Sequence, residues 1–160
     1  MAQNYWILKS EPSVFSIEDL ASRPDQTEGW DGVRNYQARN YLKDGMNKGD
    51  AILYYHSSIK EPAIVGLCSV VREAYPDTSA WNPDSAYHDP KSIPEKPIWF
   101  QVDIQLKEIF TYPVYLRDLK KNPLFQDMIL LKRGNRLSVL PASATHFHAI
   151  LKMAGIKNKR

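Results

Sequence analysis

Apolar and polar residues alternate along several stretches of the chain, as they do in strands that bury one face. The longest such stretch covers residues 98–110, where every even position from Ile98 to Leu106 is large and apolar. Shorter stretches predict further strands at residues 5–9, 51–56, 63–71 and 136–140. Together they predict a mostly antiparallel sheet with one packed and one wet face on several strands.

Helix signals flank this strand pattern. Ser16 and Asp19 have the spacing of a capping box, which predicts a short helix that begins at Ile17 and stops before Pro24. Further helical segments are predicted at residues 36–45, 116–120 and 143–154, the last of them stopped by Gly155.

A proline-rich segment, residues 75–97, fits neither pattern. It contains five prolines and almost no periodicity of apolar residues. Loops beyond ~15 residues are usually functional lids or disordered insertions. Because this segment also carries Trp81 and Tyr87, which disordered tracts tend to lack, we expect it to be an ordered flap over a site. We refer to residues 75–97 as the flap segment.

The predicted elements add up to an α+β fold in a single domain that spans residues 1–160. We expect its strands to form a curved sheet or an open barrel, with the helices at the ends and sides. No internal repeat or low-complexity block marks a domain boundary in the sequence.

Charge and composition narrow the range of partners. The 21 Lys and Arg residues exceed the 18 Asp and Glu residues by three, so only a few phosphate contacts in one place are expected. No apolar run approaches the length of a membrane span, and no membrane partner is expected. The one cysteine, Cys68, permits no intrachain disulfide, and the first residues lack the features of a secretion signal, which favours a cytoplasmic location.

Residues typical of catalysis occur without the partners that catalysis needs. His56 and Ser57 are adjacent on a predicted strand, so their side chains point to opposite faces and the imidazole cannot readily activate the hydroxyl. Cys68 lies in an apolar strand, where a buried structural thiol is expected. His146 and His148 are about 200° apart around a predicted helix and cannot bind one metal together. We predict no enzyme, no catalytic residue, no metal and no cofactor.

Residues 29–42, GWDGVRNYQARNYL, are unusually rich in planar polar and aromatic side chains. Trp30 lies between two glycines and outside any apolar periodicity, which leaves a pocket wall and core packing equally open for its indole. Arg34 and Asn35 adjoin a predicted helix start, where unpaired N–H groups favour anions and carbonyl oxygens, so they are candidate contacts for an anion or a base edge. We expect Gly45 to end this helix in the left-handed conformation.

Several long motifs resemble those of the EVE domain, a family of the PUA-like superfamily that also includes the YTH and ASCH domains. These motifs are YWILKSEP at 5–12, FSIEDL at 15–20, GWDGVRNYQARNYL at 29–42, YYHS at 54–57, VGLCSVVREAYPD at 65–77 and RLSVLP at 136–141. Within the family, the expected relatives are bacterial single-domain members and the thymocyte nuclear protein of eukaryotes. The resemblance implies a PUA-like pseudo-barrel with a central cavity and no enzymatic activity.

The resemblance also implies a role in recognition. Family members are thought to read modified bases in DNA or RNA, such as 5-methylcytosine, 5-hydroxymethylcytosine or methylated adenine. In the related YTH domain an aromatic cage holds the base, and its motif positions match Lys9, Ser10 and Trp30 here. Tyr75 and Trp81 compete for the remaining wall of that cage. A base that is read from a duplex must first be flipped out.

The residues and the resemblance together give twelve candidate binding residues. They supply aromatic faces for stacking, and polar or basic groups for contact with a base edge. The set is Lys9, Ser10, Trp30, Arg34, Asn35, Gln37, His56, Ser57, Tyr75, Trp81, Arg136 and Ser138. Ser10, Ser57 and Arg136 come from three strand ends that a barrel could bring together.

Three functions remain compatible with this sequence. The first is a non-catalytic module that binds nucleic acid carrying a modified base. The second is a pocket for a free small molecule, such as a nucleobase, a nucleotide or an organic anion, which the modest net charge favours. The third is an enzyme acting on RNA or on a modified base, with His56 or His88 as a proton shuttle.

Overall fold

A six-stranded mixed sheet forms the centre of the molecule. The computed structural model describes residues 3–156. Its strands are β1 (Tyr5–Ser10), β2 (Thr27–Gly29), β3 (Ala51–His56), β4 (Ala63–Pro76), β5 (Phe100–Tyr115) and β6 (Val139–Ala142). Their order is β2-β5-β4-β3-β1-β6; β1 and β3 pair in parallel and the other neighbours are antiparallel. The α+β class with a mostly antiparallel sheet is confirmed, and in residues 3–156 the sheet stays open, with β2 and β6 as its edges.

Five short helices surround this sheet. They are α1 (Pro12–Phe15), α2 (Ile17–Ala21), α3 (Tyr36–Asn40), α4 (Leu116–Lys121) and α5 (Ala144–Met153). Single 3-10 turns lie at Pro24–Gln26, Thr78–Trp81, Pro123–Phe125 and Ile129–Leu131. The predicted capping box at Ser16 is present, and Asn35 and Ser143 cap α3 and α5 through their side chains. None of the helices in the described range is long and apolar enough to cross a membrane.

The sheet carries a hydrophobic core on each face. One core joins Trp6 and Leu8 of β1 to residues of α2 and α3 and to Trp30. The other joins Ile7 to residues of α4 and α5. Successive residues of a strand point to opposite faces, so a strand that is buried on both faces shows no polar alternation. β3 is of this kind, since all six of its residues are buried.

Several strand boundaries differ from the predicted ones because backbone pairing sets them. β4 continues past Val71 and β5 past Phe110, and their pairing shifts register at four places. Such bulges increase the local bend and twist of the pair. β5 begins at Phe100 and β6 at Val139, later than the alternation predicted. β2 was not among the predicted strands, because its backbone pairs with β5 whatever its side chains are.

Gly45 corrects a further prediction. The helix does end there, through a π-helical turn at Tyr41–Gly45 in which the Met46 N–H donates to the Tyr41 carbonyl at 2.9 Å. Gly45 is not in the left-handed region, however, unlike Gly155 with a φ of 79°. A Cβ atom on Gly45 would lie 2.8 Å from the Trp6 ring, so close packing is what requires glycine at this position.

Candidate functional site

A pocket of about 550 Å³ opens where β1 and β3 end. These strands run parallel, with Ser10 opposite His56, so their carboxyl ends lie at the same edge of the sheet. β6 runs antiparallel to β1 and begins at this edge, with Val139 opposite Leu8. The volume falls in the range of ~300–1,000 Å³ that is typical of small-ligand sites.

Eight of the twelve candidate residues line this pocket: Lys9, Ser10, Trp30, Arg34, Asn35, Ser57, Arg136 and Ser138. Backbone hydrogen bonds hold the three strand ends together. The Ser57 N–H donates to the Ser10 carbonyl, and the Lys9 N–H donates to the Ser138 carbonyl, both at 2.9 Å. The structure thus brings Ser10, Ser57 and Arg136 to one site.

Gln37 and His56 lie outside the pocket. Gln37 is on the exposed side of α3, with its Nε2 3.4 Å from the Tyr41 hydroxyl. The His56 imidazole is buried, and its Nε2 accepts a hydrogen bond of 3.1 Å from the Ile17 N–H. Burial lowers the pKa of His56, which favours the neutral ring that this hydrogen bond requires. His56 therefore serves the start of α2 and not the pocket.

Tyr75 and Trp81, the two candidates for a second aromatic wall, also lie outside the pocket. Tyr75 belongs to β4, where its hydroxyl donates to Asp103 and accepts from Gln101 at 2.7 Å. Burial and the Asp103 carboxylate raise the pKa of Tyr75 to about 12. Trp81 ends a 3-10 turn, and its buried indole N–H has no hydrogen-bond partner within residues 3–156. Tyr87 is the aromatic residue of the flap segment that lines the pocket.

Trp30 is both a core residue and a wall of the pocket. Its side chain is 9% exposed and packs edge-to-face against Phe15 and Tyr54, with ring centroids 6.0 and 5.5 Å away. The backbone N–H of Trp30 donates to the Val102 carbonyl at 2.7 Å, which continues the pairing of β2 with β5. Both roles that the sequence left open for this indole are therefore filled at once.

Two buried hydroxyl groups support the floor of the pocket behind Trp30. Ser10 Oγ and the Tyr54 hydroxyl both donate to the Phe15 carbonyl, at 2.6 and 2.8 Å. Burial raises the pKa of Tyr54, so the phenol stays protonated and remains a donor. These bonds fix α1 against the ends of β1 and β3, and with it the Phe15 ring in the pocket lining.

Arg34 lines the pocket, but the protein itself binds its guanidinium group. Nε and Nη2 donate to the Tyr87 carbonyl at 3.0 and 2.6 Å, and Nη1 donates to Asp77 Oδ2 at 3.0 Å. Nη1 also donates to the Val33 carbonyl and Nη2 to Ser79 Oγ. An arginine has five N–H donors, and these contacts use all five. Contrary to prediction, Arg34 holds the flap segment and has no N–H left for a base edge.

Asp77 is the fully buried partner in this arrangement. Its carboxylate accepts from the Gly32 N–H at 2.9 Å and from the backbone and side chain of Ser79. Burial opposes ionisation of Asp77, but the bonds from Ser79, Gly32 and Arg34 outweigh it and lower the pKa of the carboxyl group. We call Arg34, Asp77, Ser79 and the Tyr87 carbonyl the latch, because they join the flap segment to the residues before α3.

Gly32 lets the Tyr87 ring reach the pocket. Its φ of 85° lies in the left-handed region, which favours glycine. A Cβ atom there would lie 2.7 Å from the Tyr87 ring, closer than packed carbon atoms approach one another. The flap segment is therefore ordered around this contact, and it supplies one wall of the site as expected of a flap.

Positive and negative side chains are balanced around the pocket. The cationic residues are Lys9, Arg34 and Arg136, and the acidic residues are Glu11, Glu28 and Asp31. Burial lowers the pKa of Lys9. Asp31 is exposed at the rim, yet the partial loss of water around its carboxyl group and the nearby charges of Asp77 and Glu28 raise its pKa. A neutral flat ligand suits this lining better than a phosphate does.

His56 and Cys68, which were weighed as catalytic residues, do not line the pocket. Ser57 lines it, whereas the ring of His56 is bound to the start of α2. Cys68 is buried in the core, and burial raises its thiol pKa, which makes it unreactive as predicted. Among the residues that the structure describes, no group of three His, Cys, Asp or Glu side chains could hold a metal ion.

Nine residues of the lining were not among the candidates: Glu11, Val14, Phe15, Glu28, Gly29, Asp31, Gly32, Val33 and Tyr87. Pro12 was a usable signal for Glu11, Val14 and Phe15, because proline is favoured at the first position of a helix, and α1 begins at Pro12 directly after β1. Tyr87 was noted in the flap segment, but its place in the lining could not be predicted, since it depends on contacts with Arg34, which is 53 positions away.

An open mixed sheet with an aromatic-walled pocket at its strand ends defines a PUA-like binding module. The family model described as the EVE domain matches residues 4–153. The chain therefore belongs to the EVE domain family.

Known proteins agree with this assignment. Mouse thymocyte nuclear protein 1 is 41% identical over an alignment of 168 positions. The alignment covers 94% of this chain and 73% of the relative. The crystal structure of a protein from Pseudomonas syringae is 45% identical, with a TM-score of 0.88 and coverage of 94% and 99% of the two chains. The expected bacterial and thymocyte nuclear protein relatives are thus confirmed.

A third relative has been solved with nucleic acid. Human THYN1 in complex with 5-methylcytosine-containing DNA is 38% identical, with a TM-score of 0.88 and coverage of 98% and 100% of the two chains. A YTH domain from Zygosaccharomyces rouxii in complex with N6-methyladenosine RNA is 15% identical, with a TM-score of 0.54 over 98% and 90% of the two chains. The latter shows likeness of fold.

Proposed function

We propose that this chain is a non-catalytic reader that receives a modified, flipped-out base of a nucleic acid in the pocket at the ends of β1 and β3. The observation that carries the proposal is a pocket of about 550 Å³ with Trp30 on one wall and Tyr87 on another. The complex of human THYN1 with 5-methylcytosine-containing DNA makes 5-methylcytosine in DNA the first candidate.

The chemistry of the lining suits a neutral heterocycle. Stacking of a base on an aromatic side chain contributes ~1–3 kcal/mol, and flipping a base from a duplex costs a few kcal/mol. Stacking must therefore be joined by polar contacts to the base edge. Ser10, Ser57, Asn35 and Ser138 are uncharged polar residues of the lining that can make such contacts.

The absence of catalysis is part of this proposal. It is supported by the engagement of His56 with the Ile17 N–H and by the burial of Cys68, which keep both of these residues from acting on a ligand in the pocket. The Ser57 hydroxyl in the pocket then acts as a hydrogen-bonding group. Incubation with a modified oligonucleotide, followed by mass spectrometry, should return the oligonucleotide unchanged.

Calorimetric titration of matched oligonucleotides tests the reading function. Each set carries cytosine, 5-methylcytosine, 5-hydroxymethylcytosine, adenine or N6-methyladenine at one position, in single-stranded and duplex DNA and in RNA. We expect tighter binding of at least one modified form, with 5-methylcytosine DNA tested first. Equal affinity for the modified and unmodified members of every set would refute the proposal.

A small-molecule pocket is the second candidate, and the balanced charge of the lining favours it. Titration with free 5-methyl-2′-deoxycytidine and with the matching oligonucleotide at several salt concentrations separates the two. A nucleic-acid reader binds the oligonucleotide more tightly, and its log affinity falls by ~0.9 per phosphate contact per decade of salt. A small-molecule pocket binds both ligands equally, with almost no salt dependence.

A further inference from the structure

A loop beside the pocket carries three exposed positive charges, two of which lie outside the pocket lining. Lys132, Arg133 and Arg136 lie within five residues that contain no acidic side chain, and all three are exposed. None of the ion pairs found within residues 3–156 involves them. We call residues 132–136 the basic loop.

The basic loop is held in place by hydrogen bonds of its own. Asn135 Nδ2 donates to the Ile129 carbonyl at 3.0 Å, and Asn135 Oδ1 accepts from the Leu137 N–H at 3.0 Å. Gly134 sits at the bend, with a φ of 78°. Because these contacts already order the backbone, binding through this loop costs little conformational entropy.

The last residue of the basic loop, Arg136, lies at the rim of the pocket. Arg136 and Ser138 belong to the pocket lining, and the Ser138 carbonyl accepts from the Lys9 N–H on β1. The backbone of a nucleic acid whose base occupies the pocket can therefore reach this loop. The balanced charge of the lining, with Glu11, Glu28 and Asp31, does not attract phosphates, so the phosphates need cations outside it.

We propose that the basic loop binds the backbone phosphates that flank the captured base. The inference rests on the proposed function, because it needs a nucleic acid whose base occupies the pocket. Lys132 and Arg133 make the phosphate contacts, and Arg136 bridges the loop and the pocket rim. The loop supplies affinity that does not depend on base identity, whereas the pocket supplies the preference for the modified base.

The test replaces both outer cations, as Lys132→Gln with Arg133→Gln, and leaves Arg136 unchanged because it lines the pocket. The control replaces Lys120→Gln with Lys121→Gln, two exposed cations of α4, which packs on the other face of the sheet. Affinity for a 5-methylcytosine oligonucleotide is measured at several salt concentrations. Affinity for free 5-methyl-2′-deoxycytidine, which has no phosphate, is measured beside it.

We expect the loop variant to bind the oligonucleotide more weakly, with a slope of log affinity against log salt that is smaller by about 1.8 for duplex DNA or 1.4 for a single strand, from two lost contacts. The control variant should keep the wild-type slope, and both variants should bind the free nucleoside as the wild type does.

An unchanged slope in the loop variant would overturn the inference while the reading function stands. An equal loss of affinity for the nucleoside and the oligonucleotide would also overturn it, because the loop would then act only by supporting the pocket. If the wild type shows no preference for the modified base but the loop variant still loses slope, the inference holds and the reading function fails.

Discussion

The two aromatic walls of the pocket are held by different kinds of interaction. Trp30 is packed into the core beneath the sheet, between Phe15 and Tyr54. Tyr87 is 37% exposed and lies on the flap segment, which Arg34 holds by hydrogen bonds to the Tyr87 carbonyl and by an ion pair with Asp77. The first wall is fixed by apolar packing, and the second by polar and charged groups.

The kind of interaction that holds each wall determines whether that wall can adapt to a ligand. Moving the Trp30 indole would open a void in a close-packed interior, which is costly. Moving the Tyr87 backbone requires that its hydrogen bonds from Arg34, at ~1.5–3 kcal/mol each, be exchanged for bonds to water near the surface, and moving the ring alone leaves these bonds in place. We therefore expect the Trp30 wall to be the same with and without ligand, and the Tyr87 wall to adjust to it.

The largest expected effect comes from removing the fixed wall. Trp30→Ala should lower the free energy of unfolding by about 3–5 kcal/mol, because it leaves a cavity between two aromatic rings. Urea denaturation measures this loss, and calorimetry should show that ligand binding is abolished. Trp30→Phe is the matched control, which keeps an aromatic wall and most of the stability. A stable Trp30→Ala protein would place the indole outside the core, and the Trp30 wall would then not be fixed by apolar packing.

The fixed wall could largely be predicted from the sequence, and the adjustable wall could not. Ser10 and Ser57 directly follow the strands predicted at residues 5–9 and 51–56, so the sequence already placed them at strand ends. Trp30 could be singled out by its neighbouring glycines, although not assigned to core or pocket. The main elements and the α+β class follow from the same local patterns.

The latch was beyond prediction because its partners are distant in sequence. Arg34 meets Asp77 and Tyr87 across separations of 43 and 53 residues, and no periodicity encodes such contacts. Its guanidinium was therefore assigned to a ligand when the protein itself binds it. Strand β2 was missed for a similar reason, since its pairing with β5 uses backbone groups that every residue carries.

A smaller loss is expected when the ion pair of the latch is broken. Asp77→Asn should cost about 2–3 kcal/mol of stability, less than for a fully buried pair, because the Arg34 side chain remains 22% exposed. Chemical denaturation measures the loss. Arg117→Gln is the control, since it breaks an exposed pair with Glu61 and should change stability by less than about 1 kcal/mol.

Asp77→Asn should also change how the stability of the protein depends on pH in acid. The lowered pKa of Asp77 means that its ionised form stabilises the fold above its unfolded-state pKa of about 3.9, and that this contribution is lost as the pH falls through the lower folded-state pKa. Asp77→Asn should therefore reduce the loss of stability below about pH 4. An identical pH profile in the two proteins would show that the carboxylate is not a stabilising partner of Arg34.

Substitution of Gly32 has two expected effects, strain of the backbone at a positive φ and a clash of the new side chain with Tyr87 in the flap segment. A matched glycine variant separates them. Gly32→Ala should cost about 1–2 kcal/mol from its positive φ, plus the effect of displacing the Tyr87 ring. Gly49→Ala is the matched control, because its φ is 94° and a Cβ atom there would meet nothing within 4 Å. Thermal unfolding should show a loss in both variants, and calorimetry should show weaker binding only for Gly32→Ala. Equal binding by both would mean that Tyr87 is not a wall of the site.

The smallest effect on stability is expected for the adjustable wall itself. Tyr87→Ala removes a partly exposed ring and its cation–π contact with Arg34 but keeps the carbonyl that Arg34 binds, so the free energy of unfolding should change by no more than about 1 kcal/mol. Binding should nevertheless weaken about 5- to 150-fold, from the loss of ~1–3 kcal/mol of stacking. Tyr87→Phe should bind as the wild type does, and Tyr112→Ala, at another exposed tyrosine outside the pocket lining, should bind normally. If Tyr87→Ala also binds normally, the ligand rests on the Trp30 wall alone, and the flap segment contributes shape to the pocket but no stacking energy.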